Sequence, residues 1–127
     1  MTRIIKFRGK AKLDGKWWFG NLVVRDTIGH TQINDPDYGG CFDIDSNTVG
    51  QFTGLYDKNY KEIYEGDIVR TLVSRLNATK NKKYRNFVIR YDAPHFCNGY
   101  DSILMQPTHM EVIGNIYDNP ELLKQEE

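Results

Sequence analysis

Apolar and polar residues alternate over short stretches along this chain, and helical repeats are scarce. In residues 85–92, Phe87, Ile89 and Tyr91 alternate with Val88, Arg90 and Asp92, the two-residue period of a strand with one buried and one half-wet face. Residues 67–74, 101–106 and 110–117 have strand length and β-branched or aromatic content, and each predicts a strand. At the start, Asp14-Gly15 lies between the β-rich runs 3–13 and 16–24. Asp-Gly supplies the positive φ angles of tight turns, so a hairpin is predicted from about Arg3 to Val24. Residues 26–48, broken by Pro36 and Gly39-Gly40, predict a loop with one or two short strands.

Helix signals reduce to one. Thr108-His109-Met110-Glu111 imitates a capping box, but Val112-Ile113-Gly114 opens a helix poorly. Asn119-Pro120-Glu121 is better: a capping residue, a proline with preset φ and an acid that complements the dipole predict a short C-terminal helix. The class is mainly β, a small barrel or sandwich. No repeat or linker forces a second domain, so residues 1–127 read as one, with a hairpin and loop region at 1–48 and a second β region at 49–127.

The most distinctive stretch is Val49 to Val69, VGQFTGLYDKNYKEIYEGDIV. Asp57-Lys58-Asn59 is turn chemistry, and Tyr60 stands where glycine would be easier. Gly50 and Gly54 suggest close backbone approaches, and Gly66-Asp67 a sharp reversal into Ile68-Val69. Every residue here has a fold-making explanation.

Three segments in order, KFRGKAKLDGKWWFGNL (6–22), TVGQFTGLYDKNYKEIYEGDIV (48–69) and EVIGNIYDNPELL (111–123), resemble the YopX family of phage and prophage proteins. The resemblance implies a β-rich fold whose C-terminal part is an SH3-type small barrel, and an origin in a bacteriophage or prophage. It implies no established enzymatic activity or substrate. Tyr60 departs from the glycine usual in the Asn-Gly turn, and the basic loop at 74–86 is of a kind that varies between members.

Charge changes the picture only in its distribution. The chain holds 17 basic and 17 acidic residues, so no net charge draws it to nucleic acid. Residues 1–25 hold seven basic and one acidic and residues 68–92 the same, whereas 26–67 hold nine acidic and two basic and 93–127 six and one. Such blocks either compensate across neighbouring strands or leave one basic face. Cys41 and Cys97 are a poor basis for a disulfide framework, and the first ten residues hold no signal-peptide core. A soluble, cytoplasmic protein with no membrane association is the expectation. Asn77-Ala78-Thr79 matches a glycosylation pattern, which that expectation leaves unused.

Catalytic and metal chemistry find little support. His95 and Cys97 share one side of a strand, and Cys41, His30 or His109 would be needed to complete a zinc site. Asp35, Asp37, Asp43 and Asp45 lack the spacing of a calcium loop, and Glu62, Glu65 and Asp67 beside Tyr64 form an acid/base pair only on paper. The expectation is no enzyme, no metal and no cofactor. Two binding classes remain. Trp17 and Trp18 lie on opposite faces of one strand, which offers one of them to a protein partner or a second copy. Alternatively Arg75, Lys80, Lys82, Lys83, Tyr84, Arg85, Arg90 and Tyr91 mix cations with rings as single-stranded nucleic-acid-binding barrels do.

Overall fold

The Asp14-Gly15 turn forms as its chemistry predicts. Gly15 takes φ 72°, its N–H donates to Ala11 O at 3.0 Å, and the Asp14 carboxylate accepts from Lys16 N–H at 3.0 Å. The computed structural model describes residues 4–25, 30–74, 83–92, 95–97 and 110–124. By its contacts the chain divides into two units, Met1–Gly54 and Leu55–Glu127.

In the first unit, β1 (Phe7–Lys10) and β2 (Trp17–Arg25) pair antiparallel with Gly9 opposite Trp18. The 26–48 stretch supplies two short strands, β3 (His30–Asp35) and β4 (Gly40–Asp43), and a 3-10 turn at Ser46–Thr48. With β5 (Gly50–Tyr56) the strand order runs β4-β3-β2-β1-β5. Trp18, Ile33 and Ile44 are buried, packed by Phe7, Ala11, Leu22, Phe42 and Val49. Closeness of β2 to β3 depends on Gly20, where a Cβ would run into the Asn34 carbonyl oxygen. Gly20→Ala is therefore expected to cost about 3 kcal/mol, the scale of overpacking a filled site, read as a lower urea midpoint with unchanged slope.

The second unit contains β6 (Glu62–Tyr64), β7 (Asp67–Ser74), β8 (Lys83–Val88), β9 (Arg90–Asp92), β10 (His95–Cys97) and β11 (Met110–Asn115). β11, β7 and β8 form an antiparallel sheet in that order, and β9 pairs with β10. Ile63, Val69, Ile89 and Met110 are buried together, with Leu55, Phe87, Phe96 and Val112 packed on them. Because Val69 and Phe87 are register partners on this inner side, alternation puts Arg70, Leu72, Tyr84 and Asn86 on the other. The lower part of that other side is met by the C-terminal segment, where Asn86 Nδ2 donates to Leu122 O at 2.8 Å.

Two expectations change. The C-terminal helix is a single 3-10 turn, Pro120–Leu123, because Asn119 makes no side-chain cap; its Oδ1 instead accepts from Asn115 N–H at 3.3 Å. Among the described residues the sheets are open, and no closed barrel forms. The predicted strand at 101–106 lies outside the described residues, while 110–117 and 67–74 form as β11 and β7. Predicted strand 85–92 forms as β8 and β9, interrupted at Ile89. No helix among the described residues is long and apolar enough to cross a membrane.

Candidate functional site

The distinctive stretch is built around two buried carboxylates. Asp57, at the end of β5, accepts from Asn59 N–H at 2.8 Å and Lys61 N–H at 2.9 Å, which closes the turn. Its second oxygen accepts from Val112 N–H at 2.9 Å, and Lys58 N–H donates to Met110 O at 3.1 Å. The turn is thereby fastened along the edge of β11 that β7 leaves unpaired. Ten residues on, Asp67 accepts from Tyr64 N–H at 2.7 Å. Gly66, at φ 87°, donates to Ile89 O and accepts from Ile116 N–H. Both acids act as backbone braces.

Tyr60 is the exception within this brace. At φ 63° it is the non-glycine residue with positive φ among those described. The left-handed conformation costs an L-residue about 1–2 kcal/mol, and burial returns nothing, since the residue is 88% exposed. Lys58 and Asn59 beside it reach Glu111, at 3.6 Å and 3.4 Å.

Glu111 opposes Arg70 in the β11–β7 register, and Arg70 opposes Asn86 across β7–β8. The Arg70 guanidinium lies 4.5 Å from the centre of the Tyr84 ring, a cation–π contact on an exposed surface. A register shift between Leu72 and Ser74 lies next to Tyr84, which opposes Leu72. Tyr84 and Arg70 thus share one side of the sheet with Glu111.

The residues singled out from sequence do not all meet there. Arg75, Lys80 and Lys82 lie outside the described residues, and of Lys83 only the backbone, opposite Ser74, is described. Arg85 and Arg90 are exposed. Tyr91 packs edge-on against Phe96 at 5.2 Å. Phe96 packs on the buried cluster, so Tyr91 belongs to the opposite side from Tyr84. Arg70 was missed because a lone arginine in a strand run carries no signal until the pairing register is known.

The two tryptophans separate as their alternation requires. Trp18 is inside, stacked on Phe42 at 3.7 Å with Tyr38 edge-on at 4.9 Å, under the loop at 35–40. Trp17 is half-buried on the other side, with Arg8 4.7 Å and Lys10 5.9 Å from its ring. Of the acidic loop, Asp35 accepts from Asp37 N–H, Asp43 from Gln32 and Asp45 from Asn47 N–H. No group of three metal-ligating side chains gathers among the described residues. Cys41 is exposed, and the side chains of His95 and Cys97 lie outside the description.

The fold and site define a mainly β protein in which the most distinctive motif braces its own backbone and the rings of Trp17, Tyr38 and Tyr84 each have a cation beside them. The chain belongs to the YopX family, whose model, described as YopX protein, matches residues 6–124. Among solved structures it is similar to protein EF1440 from Enterococcus faecalis, at 26% identity and a TM-score of 0.61, over 97% of this chain and 100% of that one. No curated protein matches it.

Proposed function

We propose that this protein is a non-catalytic accessory or regulatory module of a bacteriophage or prophage. It works in the cytoplasm of the bacterial host by binding a protein partner or a second copy of itself, and its second unit follows the SH3-type small-barrel plan. The observation that carries this reading is the use of Asp57 and Asp67. Both of these carboxylates are occupied by backbone N–H donors, while Glu62 accepts from the Tyr64 hydroxyl at 2.9 Å; backbone bracing is the contribution of the two aspartates. Trp17, with its cation neighbours, is the anchor such an interface would use.

Sedimentation velocity across a hundredfold concentration range tests it. Wild type is expected to sediment faster as concentration rises, and Trp17→Ala to stay at the monomer value. If both behave alike, Trp17 is not a self-association anchor. A nuclease-treated capture from induced host lysate, compared between wild type and Trp17→Ala, then decides whether it anchors a different protein; equal recovery of every band removes the tryptophan surface.

The Arg70–Tyr84 contact favours a second reading, in which the basic 75–91 segment binds single-stranded nucleic acid. Lys80, Lys82, Lys83 and Arg85 all changed to Ala would then abolish binding that falls steeply with salt.

A further inference from the structure

We draw no further inference here: the strongest candidate, the outer edge of the first unit's sheet at β4 with the exposed Cys41 and Tyr38 beside it, is an unpartnered surface, and nothing in the structure shows what covers it.

Discussion

Asp57→Ala is expected to lower the free energy of unfolding by about 4 kcal/mol. Hydrogen bonds to an ionised acceptor contribute about 1.5–3 kcal/mol each, and Asp57 accepts three, from Asn59, Lys61 and Val112. The sum is discounted because all three bonds are only partly buried and water satisfies the freed donors in part. Against a total stability of about 5–15 kcal/mol for a domain, the loss shows as a large drop in urea midpoint. Asp57→Asn keeps the volume and one acceptor but turns a donor toward an N–H, so about half the loss is expected. A loss below about 1 kcal/mol for Asp57→Ala would mean that backbone bonds such as Lys58 N–H to Met110 O hold the turn by themselves.

Trp18→Ala is expected to cost about 3–5 kcal/mol, the range for truncating a buried aromatic, and Trp17→Ala less. Trp18 forfeits its stack on Phe42 and its edge contact with Tyr38, and leaves a cavity between them. Trp17 gives up cation–π contacts with the buried Arg8 and with Lys10, worth about 2 kcal/mol where the cation is desolvated and about 0.5–1 kcal/mol where it is exposed. Thermal unfolding of both variants measures the contrast. Equal losses would show that the two sides of β2 contribute alike, and would weaken the use of Trp17 as a surface anchor.

Sequence reading succeeded where the determinants are local. The Asp14-Gly15 hairpin was legible because the turn, its φ angle and its side-chain acceptor all lie within six residues. The Glu65-Gly66-Asp67 reversal was legible for the same reason. The motif 48–69 was rightly read as turn chemistry, but the role of Asp57 was hidden, since one of its donors is Val112, 55 residues away. The Arg70–Tyr84 contact was equally hidden, as it depends on a pairing register shifted near Leu72. The Asn119 cap failed because a competing donor, Asn115 N–H, took the side chain. The tryptophan pair was half legible: alternation placed the rings on opposite sides, and only the loop carrying Tyr38 decided which one was covered.

The Asp57–Val112 bond also orders events in time. A nascent chain leaves the ribosome at about 5–20 residues per second, so several seconds separate the emergence of the turn from that of β11. The first unit's strands end by residue 56 and can pair early. The second unit must keep Val69 and Ile63 uncovered until Met110 and Val112 arrive. Products of premature termination before β11 therefore expose an apolar sheet and an unclasped turn, which makes them substrates for cellular chaperones and proteases.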